Sequence, residues 1–203
     1  MENGIEFFQQ ALTVQSREDS PLEWATTTMY LAEAYSERIR GNRANNLEQA
    51  IGLYQKSLEI IIKIEFPKEW AALMRKLGMA YTNRIRENRA ENLERAIGFY
   101  QHALQVQTRD AMPLDWAATM MCLAEAYSLR IHGHLADNIE QAIACYQQAL
   151  EVRIRKIWPL EWTQTIQALG TAYVNRIKGD RANNLEQAIV CYQQALEIRT
   201  RAC

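Results

Sequence analysis

All four prolines of the chain stand at one kind of place: Pro21, Pro67, Pro113 and Pro159, each 46 residues after the last. Three positions on from each comes a tryptophan, Trp24, Trp70, Trp116 and Trp162. An internal period of roughly 20 to 50 residues is the signature of stacked supersecondary units. Such units bury their apolar faces against one another, so the 203 residues need no single central core. The period predicts one repeat domain over 1–203, with units at 21–66, 67–112, 113–158 and 159–203. Ile5-Glu-Phe-Phe-Gln-Gln-Ala-Leu12 matches Ile51-Gly-Leu-Tyr-Gln-Lys-Ser-Leu58, so 4–20 reads as the orphan second helix of a preceding unit.

Each unit reads as two helices. In the third, Trp116, Met120, Leu123, Ala124, Tyr127 and Ile131 recur at helical spacing in the first helix, A. In the fourth, Leu185, Ala188, Ile189, Tyr192, Ala195 and Leu196 line one face of the second, B. Ser20 with Glu23 predicts a capping box ahead of Pro21 at the first helical position. Gly41, Gly133 and Gly179 predict left-handed turns after helix A, with Glu87 the exception. Asn46, Asn92, Asn138 and Asn184 are expected to cap helix B. Arg17, Lys63, Arg109, Arg155 and Arg201 are expected to sit at its negative end. No strand pattern competes, and the expected class is all-α: a right-handed α-solenoid of antiparallel helix pairs.

Composition excludes several partners. A net charge of −1 offers no basic surface, which makes nucleic acid an unfavoured partner. The Ile60–Ile62 cluster is far too short to span a bilayer, and MENGIEFFQQ has no signal-peptide pattern. Cys122, Cys145, Cys191 and Cys203 form no Cys-x-x-Cys motif. Cys145 and Cys191 are equivalent positions one repeat apart, beyond disulfide reach. Reduced apolar filler in the cytoplasm is the expected state of these thiols. His132 and His134 share a loop with no ligand-spaced companion, and no phosphate loop, nucleophile elbow or zinc-protease motif occurs. The chain is read as not an enzyme, with no cofactor and no metal.

The core letters carry a resemblance. Leu31-Ala32 with Tyr35 in helix A and Ala50, Tyr54 and Ser57 in helix B recur as Leu77-Gly78, Tyr81, Ala96, Tyr100 and Ala103. They recur again as Leu123-Ala124, Tyr127, Ala142, Tyr146 and Ala149, and as Leu169-Gly170, Tyr173, Ala188, Tyr192 and Ala195. This pattern resembles the tetratricopeptide repeat (TPR) over essentially the whole chain. That family's usual unit is about 34 residues. The 46-residue unit is similar to the long variant of kinesin light chains and of bacterial arrays that precede a caspase-like (CHAT) peptidase, and no such peptidase lies in this chain.

The resemblance implies a protein or peptide partner held in a concave groove lined by one stripe of helix A. In unit one that stripe is Thr26, Met29, Tyr30, Glu33 and Glu37; in unit two Ala72, Arg75, Lys76, Met79 and Asn83. Unit three contributes Ala118, Met121, Cys122, Glu125 and Leu129, and unit four Gln164, Gln167, Ala168, Thr171 and Asn175. These positions differ in size and charge between units, as a surface fitted to an irregular partner would, and as drift at solvated sites would too.

Invariant positions point instead to construction. The tryptophan column fits a wedge between helix pairs better than a platform for nucleic-acid bases. Arg38, Arg84, Arg130 and Arg176 are expected to brace their own A–B loops through Glu48, Glu94, Glu140 and Glu186 or loop carbonyls, rather than form an anion-binding strip. The chain starts and stops in mid-unit, which suggests a fragment or an array that stacks on itself. The expected function is a non-catalytic protein–protein interaction scaffold. The alternative is a self-assembly module forming homo-oligomers end to end, with Phe7, Phe8, Ile189 and Leu196 near the junctions.

Overall fold

The computed structural model describes the backbone of residues 2–201 and the side chains of residues 2–198. Cys203 and the Arg201 side chain therefore lie outside the described residues. Among those described, the secondary structure is helical throughout and contains no strand. The chain divides into two compact units, Met1–Val106 and Gln107–Cys203. The first holds α1 (Glu2–Val14), α2 (Pro21–Glu37), α3 (Arg43–Leu58), α4 (Pro67–Asn83) and α5 (Arg89–Leu104). The second holds α6 (Pro113–Leu129), α7 (Leu135–Val152), α8 (Pro159–Asn175) and α9 (Arg181–Arg201).

Within each unit the helices pack as neighbours in sequence: α2 on α3 and α4 on α5, α6 on α7 and α8 on α9. Between pairs, α2 rests on α1, α4 on α3 and α8 on α7. Small residues permit the close approach. Ala25, Ala50, Ala71 and Ala96 are completely buried, as are Ala117, Ala142 and Ala149. At Gly78 an added Cβ would lie 2.5 Å from the Tyr100 ring, so only glycine leaves room for that buried tyrosine.

Each A helix starts with its proline at the first position, where the absent N–H has no helical partner to lose. The capping box at Ser20 does not form, because the Ser20 side chain makes no cap hydrogen bond. Its counterparts are Phe66, Met112 and Trp158, none of which can cap. The turn before α2 is held instead by Ser16 Oγ, which accepts from the Glu18 and Asp19 amides at 3.1 and 3.2 Å.

The B helices begin earlier than the invariant asparagines suggested. Asn42 caps α3, accepting from the Asn45 amide at 3.0 Å, and Asn88 caps α5, accepting from the Ala90 amide at 2.8 Å. Asp180 does the same for Asn183 at 2.9 Å. The expected caps Asn46, Asn92, Asn138 and Asn184 lie inside the first turn and are buried. Each turns its Nδ2 back to a loop carbonyl, those of Arg40, Arg86, His132 and Lys178, at 2.8–2.9 Å. A buried amide must find such a partner, and the loop carbonyl left by helix A supplies it. Gly41, Gly133 and Gly179 hold φ of 81–82°, and Glu87 adopts the same left-handed turn at φ 64°.

The cations after helix B also do something other than expected. The helices end at Val14, Leu58, Leu104 and Val152, so Arg17, Lys63, Arg109 and Arg155 stand in the following link. Arg17 reaches Glu59 at 2.6 Å and Arg155 reaches Glu197 at 2.7 Å, each one repeat further on. Lys63 donates to Gln105 at 2.6 Å, and Arg109 pairs with Glu151. Three of these cations also cover the invariant tryptophans: Arg17 over Trp24, Lys63 over Trp70 and Arg155 over Trp162, at 5.2–5.5 Å.

Candidate functional site

A cleft of about 610 Å³ opens in the first unit, between α2 and α4, with α3 as its floor. Glu33 and Glu37 project from α2; Arg75, Lys76, Met79 and Asn83 come from α4. All six belong to the stripe that the resemblance implied. The helical repeat explains the meeting: 33 and 37, like 75, 76, 79 and 83, lie three or four residues apart and share one face of their helix.

The walls carry opposite charge. Lys76 Nζ bonds the Glu33 carboxylate across the cleft, joining the two helices. Glu37 and Met79 are exposed on the rim, and Asn83 Nδ2 donates to the Met79 carbonyl at 2.9 Å. Below them Tyr54 is buried, and burial drives its phenol well above the ordinary tyrosine range. It stays neutral and presents a hydroxyl near Ser36, inside a pocket with charged walls.

The residues around the stripe were not anticipated as lining. Ser36, Ile39, Arg43 and Leu47 also face the cleft, since the loop after α2 and the start of α3 close one end. Arg43 Nη1 donates to the Ser36 carbonyl, and Arg89 and Arg181 repeat that contact on Thr82 and Val174. The recurrence of arginine at 43, 89 and 181 was the available signal.

Other stripe residues lie elsewhere. Met29 is buried, and Tyr30 stacks on Phe8 of α1 with ring centroids 5.9 Å apart. In the second unit, Met121 receives an Arg153 guanidinium hydrogen at 2.9 Å and so belongs to the packing around that buried arginine. Cys122 and Gln167 are half-buried, whereas Glu125, Leu129, Gln164, Thr171 and Asn175 are exposed. Thr171 Oγ1 lies 3.1 Å from the Tyr192 hydroxyl.

The arginine ladder is the clearest departure from expectation. Arg38, Arg84 and Arg176 do not brace their own loops through Glu48, Glu94 and Glu186. Each reaches back to the glutamate of the preceding B helix: Arg38 to Glu2, Arg84 to Glu48, Arg176 to Glu140. Nε and Nη2 engage both carboxylate oxygens at 2.6–2.9 Å in all three. The guanidinium neighbours hold Glu2, Glu48 and Glu140 below the usual carboxylate range. Each arginine also sits over the tyrosine three residues earlier, at 5.4–5.9 Å, and its backbone N–H bonds that tyrosine's carbonyl. Arg130 makes the same two contacts with Tyr127. Helix A ends with its last turn pointing back at the earlier pair, and that direction selects the earlier glutamate.

Across 97% of its length the chain matches the crystal structure of BtubC (BKLC) from P. vanneervenii, with TM-score 0.73 and 20% identity, over 72% of that chain. The fold is a TPR-like helical repeat. No family model matches the chain, and no curated protein sequence does either. At that identity the likeness concerns the fold, and chemistry has to be read from the side chains. Among the described residues no three His, Cys, Asp or Glu converge as metal ligands, and His132 and His134 are exposed. No described helix is long and apolar enough to cross a membrane.

Proposed function

We propose that this chain is a non-catalytic protein–protein interaction scaffold of the tetratricopeptide kind, built from the long 46-residue unit and working in the cytoplasm. Its cleft between α2 and α4 receives an extended or helical segment of a partner protein, or of another domain of its own parent. One observation carries this reading: positions that change from repeat to repeat line the cleft, over a floor of repeated ones. The volume, about 610 Å³, suits several side chains of a docked segment. Exposed Met79 and Ile39 offer apolar contact, while the acidic and basic walls set orientation.

The test starts from peptides selected on the wild-type chain from a random display library. Arg75→Glu with Lys76→Glu is expected to weaken their binding by at least about tenfold, with helicity retained. Failure to select any peptide, or an affinity indifferent to the double reversal, removes the cleft from consideration. A second reading, end-to-end self-stacking, is favoured by the exposure of Phe7 on α1 and Ile189 on α9. A strict monomer by light scattering across a concentration series eliminates it.

A further inference from the structure

The link between α7 and α8 departs from the other three. Where they have Ser16, Ile62 and Thr108 it has Ile154, and where they have Asp19, Glu65 and Ala111 it has Ile157. In place of Ser20, Phe66 and Met112 it has Trp158, the one tryptophan outside the repeated column. Ile154, Ile157 and Trp158 are 49%, 61% and 36% exposed. Thr108 and Ala111 are exposed too, in a link that a further repeat follows, so the positions themselves face solvent. Large apolar side chains grouped at such positions mark a place of contact. Beside them, within the second unit, opens a pocket of about 210 Å³ lined by Leu114 and Ala118 of α6, Arg153 and Trp158 of the link, and Glu161 of α8. Arg153 is a fixed part of its wall: it is buried, and its Nη1 donates to Thr165 Oγ1 and Met121 Sδ, both at 2.9 Å.

We propose that this pocket takes one large apolar side chain from an acidic segment of a partner protein. Trp158 and exposed Leu114 supply apolar walls, and a pocket of this size suits a single side chain inserted as an anchor. Charge selects what flanks the anchor. The link carries three cations, Arg153, Arg155 and Lys156. Arg153 is buried, and Arg155 pairs with Glu197 at 2.7 Å. Lys156 is exposed, stands between Ile154 and Ile157 in sequence, and pairs with no carboxylate among the described residues. A carboxylate beside the anchor therefore meets Lys156, and a basic segment is repelled. The site shares no residue with the cleft between α2 and α4 and stands whether or not that cleft is occupied.

The test pans a random peptide display library on the whole chain carrying Arg75→Glu and Lys76→Glu, which disables the cleft between α2 and α4. Enriched peptides are expected to place Phe, Leu or Trp beside Asp or Glu. Labelled with fluorescein and titrated by anisotropy, they should bind at least about tenfold more weakly after Trp158→Ala or Ile157→Glu. Ile157→Glu copies Glu65 at the equivalent exposed position, so circular dichroism should stay unchanged. Lys156→Glu should also weaken binding by about tenfold, and lysine in place of the peptide's acid should restore most of that loss. No enrichment, enriched peptides that lack an acid, or an affinity indifferent to Trp158 and Lys156 overturns the proposal. Binding to phosphatidylglycerol vesicles that Ile157→Glu abolishes, without any enriched peptide, assigns the patch to a lipid surface. Self-association that Trp158→Ala abolishes assigns it to a second copy, and either result overturns the partner segment.

Discussion

Arg84 and Glu48 stand 36 residues apart in sequence and meet through two hydrogen bonds, Nε to Oε1 at 2.8 Å and Nη2 to Oε2 at 2.6 Å. The arginine belongs to the end of α4 and the glutamate to the start of α3, so the pair ties one helix pair to the next. Arg84 also engages Glu87, which no other arginine of the ladder can copy, because glycine stands at the equivalent positions Gly41, Gly133 and Gly179. With 9% of its side chain exposed, it is the most buried of the described ladder arginines.

Removing Arg84 therefore costs more than removing a surface arginine. Arg84→Ala is expected to lower stability by about 1–3 kcal/mol, the usual range for losing charge-assisted hydrogen bonds. Arg38→Ala, where the arginine is 29% exposed, should cost less. Urea unfolding of the two variants side by side checks the order, and an equal loss would contradict it.

The staples also set a pH dependence. Arg84 and Arg176 hold the carboxyls of Glu48 and Glu140 below their ordinary value of 4.5. A carboxyl with a lowered folded-state pKa stabilises the fold above its unfolded value, and that contribution fades as pH falls. The wild type should thus lose more stability between pH 6 and pH 4 than Glu48→Gln with Glu140→Gln, roughly the window in which unfolded glutamates titrate. Parallel midpoints across that window would refute the linkage.

A buried polar pair offers a transplant experiment. Thr119 Oγ1 in the third repeat donates to Gln107 Oε1 near the end of the second at 2.5 Å, with both residues fully buried. One repeat earlier in the chain the same two places are filled by Ile61 and Leu73, also fully buried. Gln107→Ile alone leaves the Thr119 hydroxyl without this partner and should cost about 1–3 kcal/mol. Adding Thr119→Leu should recover most of that loss or exceed it, since replacing both partners removes the desolvation burden. Differential scanning calorimetry of the single and double variants decides the matter.

Two glycines should answer alanine differently. An alanine at 78 would drive its Cβ into the Tyr100 ring, which is 1% exposed and has nowhere to move. Overpacking of about 1–3 kcal/mol outweighs the gain of about 1 kcal/mol in helix propensity, so Gly78→Ala destabilises. At 170 the added Cβ would meet the Tyr192 ring at 3.0 Å, which is 36% exposed and can yield, and the Cβ of buried Cys191 at 3.1 Å, a milder clash than that at 78. Gly170→Ala should therefore cost clearly less than Gly78→Ala, and an equal loss in thermal melts would disprove the distinction.

Burial pushes the Cys145 thiol up to about 11 and raises that of Cys191 too. At pH 8 both should resist iodoacetamide in the folded chain and react in urea, as read by peptide mass spectrometry. Rapid labelling of Cys145 in the native protein would place it outside the core.

The periodic letters disclosed the helices and their order, because Pro21 and its three counterparts can only begin a helix, and because Leu47, Ala50, Ile51 and Tyr54 share a face only at helical spacing. Six of the implied groove residues meet in the first unit for the same reason. Asn46 and Asn42 could not be told apart as caps, since both are good N-cap residues and only burial of Asn46 reverses its role. Met29 and Met121 hold the same repeat position as Arg75, yet Met29 is buried and Met121 packs on Arg153 while Arg75 lines the cleft, a difference that register alone does not carry.

What the sequence determined alone is the unit and its repetition, for these rest on spacing along one helix, where 3.6 residues per turn converts position directly into direction. What the tertiary structure decided is every pairing between units. Arg84 could have reached Glu94 in its own repeat as readily by letter as Glu48 in the one before. The choice follows from where the end of helix A points once it is packed, and that direction is a property of the stack.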